Sequence, residues 1–475
     1  MNNKVSISLN SPNRATKQLK IKNLSGKRKV VISTNWLNLF DFQSGDAVVE
    51  RSLGKGKGFV VERVYDLFDA PIRTKRVYER SYNKRRNNPA ESLLETSSKR
   101  LLDESIPEDC ESVHVTFTKG KVYVAPIKTL QARAIRNAKN AKDKLSAFAA
   151  CTSGVDLFAM QKEGFSIHSV LEYRPQERRD KSDLTETGAM NVLQNIPNIC
   201  NFYNEDIYSI DVNRIAKDIE NNPYTIFHAS PQCDDLSNVK GEKFKQAHLD
   251  DTTSTMDMVI DMLDIIRATA PPCIVLENVS GFVKSEAYKI ASLRLKRYGY
   301  KESVFVGDAR DFGGITSRKR AYCIFSVLPV ELKLPTPSPR RSTPIWDIVE
   351  PYIKHCRDVT HSKSLQDGIT TGRLRVITTE SLHSPTFLKS QSRSAKDSCV
   401  IQTSDNRLLW PTEELMKRLM GISEDFDLSA VGGVIGSEII GQSIDVPLHM
   451  ALMNSLKEHI QAYFSGEANC LPFSA

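Results

Sequence analysis

The sequence predicts a doubly wound α/β body preceded by a small, β-rich domain. Three observations carry that prediction. From Leu145 onward, compact apolar strands alternate with segments of helical period. Residues able to do chemistry gather just after those strands, where open α/β sheets bind their ligands. The first 144 residues hold 29 Lys+Arg against 15 Asp+Glu, whereas the remainder holds 36 against 42. A basic front on a mildly acidic body reads as a polyanion-binding segment attached to something else.

Composition bounds the rest. At 475 residues the chain is too long for one ordinary domain. With 40% hydrophobic and 26% charged residues it can bury real cores, which excludes collagen-like, coiled-coil and wholly disordered chains. No run of about 18 apolar residues occurs, so no membrane helix is expected. The opening MNNKVSISLNSPNRATKQLK is polar and basic, unlike a secretory signal. The nine cysteines are scattered, without CxxC or Cys/His pairs at zinc spacing. They read as reduced thiols, with no metal site and a cytoplasmic setting, nucleoid-associated in a bacterium or phage.

In the front domain, IKNLSGKRKVVIS alternates like a hairpin, and NWLNLF follows as a short helix capped by Ser33, Thr34 or Asn35. FQSGDAVVERSLGKGKGFVVERV returns as two strands around a glycine turn. This β-rich unit loosely resembles swapped-hairpin DNA-binding modules of the AbrB type. The densest basic stretch, residues 71–86, carries Arg73, Lys75, Arg76, Arg80, Lys84, Arg85 and Arg86 with two tyrosines. Basic residues mixed with aromatics suit phosphate contacts plus stacking; the plain alternative is a solvated arm. Residues 87–111 read as a helix or linker. VHVTFTKGKVYVAPI is a hairpin about a Lys-Gly turn, and LQARAIRNAKNAKDK a basic amphipathic helix leading out.

In the body, LSAFAAC is an apolar strand, VDLFAMQKEGF a helix and SIHSVLEY the next strand. YTIFHAS and CIVLENV are further strands, with helical spacing between Thr253 and Ala268. A parallel sheet is expected. Cys233 stands in SPQCDDLS, after a strand and before residues able to cap a helix, where the dipole favours a thiolate. Glu277 ends a buried strand in LENVSGF, where a carboxylate is costly without a partner or a task. Arg318 and Arg320 lead into an apolar strand in TSRKRAYCIFSV. Each alone has an ordinary reading: a packed thiol, a capping carboxylate, a solvated edge.

In this order and spacing, SPQCDDLS, Glu277-Asn278-Val279 and TSRKR resemble the PPCQxFS, ENV and QxRxR signatures of the DNA cytosine-5 methyltransferase family. RLLWPTEELMKRLMGISEDF and GQSIDVPLHMALMNSLKEHI are similar to its later signatures, so the likeness covers about residues 145–465. The resemblance implies a Rossmann-like, S-adenosylmethionine-dependent sheet and methyl transfer to C5 of a cytosine flipped out of duplex DNA. It implies Cys233 as the nucleophile at C6 and Glu277 as the acid at N3. Arg320 then holds the base's O2, and Arg318 braces the nucleophile loop. For the cofactor it implies Phe148 on the adenine, Glu172 on the ribose and Asp206-Ile207 at the adenine edge. Ala149, Cys151, Ser153, Tyr173, Pro231, Gln442 and Ser443 complete that site.

The sequence departs from the pattern near the cofactor. FAACTSG replaces FxGxGG with one residue inserted, and Gln232, Asp234, Thr316 and Gln442 replace family residues. The expectation is retained adenosine recognition with an altered methionine end, and an altered donor or an altered transferred group stays open. The expected divisions are 1–127, a helical linker 128–144, a first catalytic part 145–328, a target-recognition region 329–403, the returning part 404–465 and a tail 466–475. The region 329–403 holds 11 Lys+Arg against seven Asp+Glu, with Arg373 and Arg375 in GRLRVITTESLHSPTF, a stretch read as strands. Duplex DNA is the expected partner, with a restriction enzyme as an open companion. Rival readings are a non-catalytic DNA-binding regulator and an enzyme acting on RNA, as some family members do.

Overall fold

The computed structural model describes residues 11–24, 26–66, 74–82, 90–108, 110–176, 180–232 and 254–466. Cys233, Arg73, Lys84, Arg85 and Arg86 lie outside the described residues. The chain divides into two compact units, Met1–Ala132 and Arg133–Ala475.

The first unit holds a six-stranded and a four-stranded sheet. Ser112–Thr118 and Lys121–Ile127 form the expected hairpin. Its turn needs Gly120, whose φ of +68° is the left-handed region that L residues avoid. Ala47–Ser52 pairs with Phe59–Arg63 as expected. Residues 87–111 differ from expectation: Ala90–Thr96 is a strand, paired with Lys27–Ser33 and Tyr78–Ser81, before helix Lys99–Ser105. Phe42, Phe59, Val115, Phe117 and Val122 are fully buried in one core drawn from the whole unit.

The second unit is built on a seven-stranded sheet. Its strands are β1 (Ser146–Ala150), β2 (Ser166–Leu171), β3 (Asn201–Tyr203), β4 (Ile226–Ala229), β5 (Cys273–Asn278), β6 (Lys301–Asp308) and β7 (Lys319–Ser326). The order is β3-β2-β1-β4-β5-β7-β6. The first five are parallel, and their near-continuous apolar runs suit a sheet covered on both faces. The sheet is mainly parallel, as expected; only the β7 pairings differ, antiparallel to both β5 and β6. The segment from β6 to β7 is too short for a helical crossover, so the chain reverses.

Helices α1 (Val155–Lys162) and α2 (Thr187–Asn195) follow β1 and β2, and Val446–Ser465 returns across the sheet. Leu157, Met160, Val170, Val275, Leu448 and Leu452 meet in one core. Helix Leu130–Asn140 carries the stretch expected as a linker, but from Arg133 it is packed on this unit. Arg133 donates to the carbonyl of Arg267 at 2.9 Å, and Asn137 to those of Thr269 and Ala270 at 2.7 and 3.0 Å.

Arg357–Asp358, Leu408–Trp410, Cys399–Gln402 and Arg375–Ile377 form a four-stranded sheet. It runs across the division expected at residue 403. Ile377, Phe387 and Ile401 share a core with Leu415, Leu419 and Ile440. Of the expected strands in 372–387, only Arg375–Ile377 forms, with one bridge from Thr316 to Ser384.

Candidate active site

The reversed direction of β7 builds the centre of the site. Its first residues lie beside the last residues of β5, with Glu277 opposite Tyr322 and Asn278 opposite Ala321. Arg320 therefore reaches Glu277, its Nε 3.0 Å from Oε1. Glu277 is only 6% exposed. Burial holds its pKa above the usual carboxylate range, and the charges of Arg320 and Arg318 pull it back. Such a carboxyl holds its proton more firmly than an exposed one and is still stabilised by the arginines once ionised.

Asn278 performs a different task. Its Nδ2 donates to the carbonyl of Pro231 at 2.8 Å, two residues before Cys233. The β4 and β5 ends are thereby tied together, and Pro231, Gln232, Met256 and Phe282 line a shallow pocket beside them. Arg318 is buried and donates to Thr386 Oγ1, Phe387 O and Gly441 O at 2.9, 3.0 and 3.1 Å. Those bonds brace the 386–387 and 441 segments; the loop from Cys233 onward lies outside the described residues.

The cofactor candidates sit at the ends of β1 to β3. After Ala150 the chain turns through Cys151, Ser153 and Gly154 with φ of 59°, 56° and 101°. Two of these left-handed positions are filled by residues that adopt them at a cost. Glu172 holds the turn: its Oε2 accepts from the Thr152 and Ser153 amides at 2.8 and 3.1 Å. Burial raises the Glu172 pKa against those two bonds. Burial and the nearby Glu172 and Asp206 charges hold the Cys151 thiol far above its ordinary value, unlike a reactive thiolate. Asp206 caps the turn Ile207–Ser209 by accepting from the Tyr208 amide at 3.1 Å, and Ile207 is buried.

Phe148 needs a correction. It is fully buried among Tyr203, Tyr224 and Phe227, with ring centroids at 6.1, 5.3 and 5.7 Å. It packs the core and offers no ring face to an adenine. Ala149 is equally buried. Tyr173 is half-buried, Gln442 is exposed, and the Ser443 hydroxyl turns to the carbonyls of Ile440 and Ile444 at 2.9 and 3.1 Å. Thr152 Oγ1 and Asn191 Oδ1 are buried beside this turn without hydrogen-bond partners. Orphaned polar atoms beside the turn that Glu172 braces fit the polar end of an adenosine-bearing cofactor.

The candidate DNA contacts separate. Arg76 and Arg80 are exposed, and the Arg80 guanidinium lies 5.1 Å from the Tyr82 ring. Lys75 is already paired with Glu50 at 2.7 Å. Arg373 is exposed, 3.9 Å from Asp397. Arg375 is half-buried and donates to the Thr386 carbonyl at 2.7 Å, which corrects its reading as a phosphate contact. Sequence reasoning missed Asp156, His228, Tyr322 and His449, which are buried together below Glu277. The available signal was a histidine inside the otherwise apolar strand YTIFHAS.

Residues 158–458 match the family of C-5 cytosine-specific DNA methylases. The chain is 26% identical over 241 residues to the type II methyltransferase M.NlaX of Neisseria lactamica, covering 46% of this chain and 74% of that protein. The structure of the Entamoeba histolytica methyltransferase EhMeth superposes with a TM-score of 0.51 at 17% identity, over 67% of this chain and 99% of that one. A mutant of Spodoptera frugiperda DNMT2 gives 0.50 at 17% identity, over 66% and 99%. At such identity these two structures speak for the fold alone, a Rossmann-like methyltransferase sheet. The sequence match spans well over half of the chain, which therefore belongs to the C-5 cytosine-specific DNA methylase family.

Proposed function

We propose that the protein is a DNA cytosine-5 methyltransferase working through a covalent bond between Cys233 and C6 of a flipped cytosine. The observation that carries this reading is the buried Glu277 held by Arg320, with Asn278 tethering the backbone two residues before Cys233. DNA is taken as the substrate because the matched family is named for DNA and M.NlaX for a type II methyltransferase.

In this reading the Cys233 thiolate adds to C6 while Glu277 gives its proton to N3, so the ring gains no net negative charge. The electron pair released from the C5=C6 bond becomes nucleophilic at C5. Arg320, beside Glu277, holds O2 of the same base in this reading. Glu172, Asp206 and Ile207, with the Cys151–Gly154 turn, would hold S-adenosylmethionine, which would supply an electrophilic methyl group to C5 and leave as S-adenosylhomocysteine. Loss of the C5 proton to base reforms the C5=C6 bond and expels the thiolate. The proton on N3 returns to Glu277, which closes the cycle.

Duplex DNA containing 5-fluorocytosine, incubated with the protein and S-adenosylmethionine, should give a complex that survives denaturation. Fluorine at C5 cannot leave as a proton does, so the thiolate is retained. Cys233→Ser should abolish the adduct. RNA containing 5-fluorocytidine forms the second arm. Trapping on RNA alone would move the substrate assignment, and an adduct on Cys151 or Cys273 would overturn the assignment of the nucleophile.

A further inference from the structure

Beneath Glu277 the sheet carries a row of buried polar side chains. His228 on β4 is the register partner of Val275 on β5, and Glu277 is opposite Tyr322 on β7. Register partners share a face of the sheet, as do residues two apart along a strand. His228, Glu277 and Tyr322 therefore project to one side. Two helices cover that side: α1 brings Asp156, and Val446–Ser465 brings His449.

Asp156, His228, His449 and Tyr322 are in contact, and strand register sets Tyr322 beside Glu277. His228 Nε2 lies 2.7 Å from Asp156 Oδ2. The His228 and His449 rings are 5.4 Å apart, and His449 Nδ1 lies 3.3 Å from the Tyr322 hydroxyl. His228, His449 and Tyr322 have no exposed surface, and Asp156 has 3%. His228 Nδ1 and His449 Nε2 have no hydrogen-bond partner, nor does Glu277 Oε1 beyond its ion pair. Stability does not explain such a cluster. Unsatisfied buried polar atoms are costly, and apolar side chains of the same size would be cheaper here.

We propose that Asp156, His228, His449 and Tyr322 are positioning residues for Glu277, a buried relay that keeps its proton in place until Cys233 adds to the base. The relay rests on the reading of Glu277 as the acid at N3. Asp156 fixes His228 through one ring nitrogen, and Tyr322 orients His449 while being paired to the Glu277 backbone. The charged and titratable groups around Glu277 are Asp156 from α1, His228 from β4, Arg318, Arg320 and Tyr322 from the β7 segment, and Asp445 and His449 from the closing segment. After burial, which raises the Glu277 pKa, and the two arginines, which lower it, the Asp156 charge favours the protonated carboxyl and His228 opposes it.

The test is steady-state methyl transfer to duplex DNA by the full-length protein, followed from about pH 5 to pH 9. Asp156→Asn keeps an acceptor for His228 and removes the charge. It should lower kcat about tenfold at neutral pH, leave KM for DNA within about twofold, and move the falling alkaline limb about one pH unit lower. Tyr322→Phe should shift that limb in the same direction by less. Folded variants with lowered Tm and a wild-type pH profile would overturn the relay. Should Asp156→Asn fail to fold, Tyr322→Phe and His449→Gln decide by the same criterion. A wild-type protein that neither methylates DNA nor traps 5-fluorocytosine would defeat the underlying reading. An active, trappable wild type with unmoved variant profiles defeats the relay alone.

Discussion

Thr316 donates its hydroxyl to Asp445 at 2.6 Å, and neither residue has any exposed surface. The bond joins the segment before β7 to the start of the closing helix. Thr316 stands where the family keeps a glutamine, and the shorter side chain has a carboxyl within reach. The second Asp445 oxygen has no hydrogen-bond partner, and a Cβ on Gly314 would stand 2.6 Å from it. Burial raises the Asp445 pKa to about 6, with the Thr316 bond opposing. The fold therefore prefers this carboxyl protonated.

That preference gives a pH dependence of definite sign. The folded value of about 6 is above the unfolded value, which is near ~3.9. The stabilisation is full below about pH 4 and is lost as pH rises through about 6. It amounts to at most roughly 3 kcal/mol. Asp445→Asn keeps an acceptor for Thr316 and cannot ionise. Between about pH 4 and 6 the wild-type Tm should fall relative to that of the variant. Parallel Tm curves in calorimetry would show that Asp445 stays ionised in the fold.

Glu172 has two tasks that a pair of substitutions can separate. Its Oε2 braces the Thr152 and Ser153 amides. Glu172→Gln keeps a carbonyl for that brace, whereas Glu172→Ala leaves two half-buried amides without an acceptor, at no more than about 1–3 kcal/mol each. S-adenosylhomocysteine should raise the wild-type Tm. The gain should shrink in Glu172→Gln and vanish in Glu172→Ala. Equal gains in all three proteins would leave Glu172 as a brace only.

Much of the body was legible because its strands are short apolar runs ending in chemistry. CIVLENV announces both β5 and Glu277, and YTIFHAS announces β4. Strand direction was less legible: β7 reverses because of the length of its connection, which apolarity does not record. Phe148 matched a motif position, yet its surroundings come from Tyr203, Tyr224 and Phe227, far along the chain. Ala90–Thr96 reads as polar, but its alternate burial makes it a strand. The Asp156–His228 pair joins residues 72 positions apart, which no local pattern reveals.

The two arginines of the 372–387 stretch should part company when replaced. Arg375 donates into the backbone at Thr386, whose hydroxyl also receives Arg318. Arg375→Met should lower Tm by an amount set by the loss of a charged hydrogen bond, about 1.5–3 kcal/mol. Arg373 is exposed, so Arg373→Gln should leave Tm unchanged and weaken DNA binding at low salt. Equal Tm losses for both would show that Arg373 is structural too.

The front unit offers a test that needs no truncation. Arg76 and Arg80 are exposed, and Arg80 lies against Tyr82, the arrangement that suits a phosphate beside a stacked base or sugar. Lys75 is already paired with Glu50. Each phosphate contact contributes about one unit to the slope of log affinity against log salt. Replacing Arg76 and Arg80 together by Gln should therefore flatten that slope by about two and weaken binding to all sequences alike, since phosphate contacts carry no base information. Lys75→Gln should leave the slope nearly unchanged and act on Tm instead. Fluorescence anisotropy with a labelled duplex, from about 50 to 200 mM salt, separates the two. A double variant with the wild-type slope would mean that these arginines face solvent only and that the positive front keeps the protein in solution.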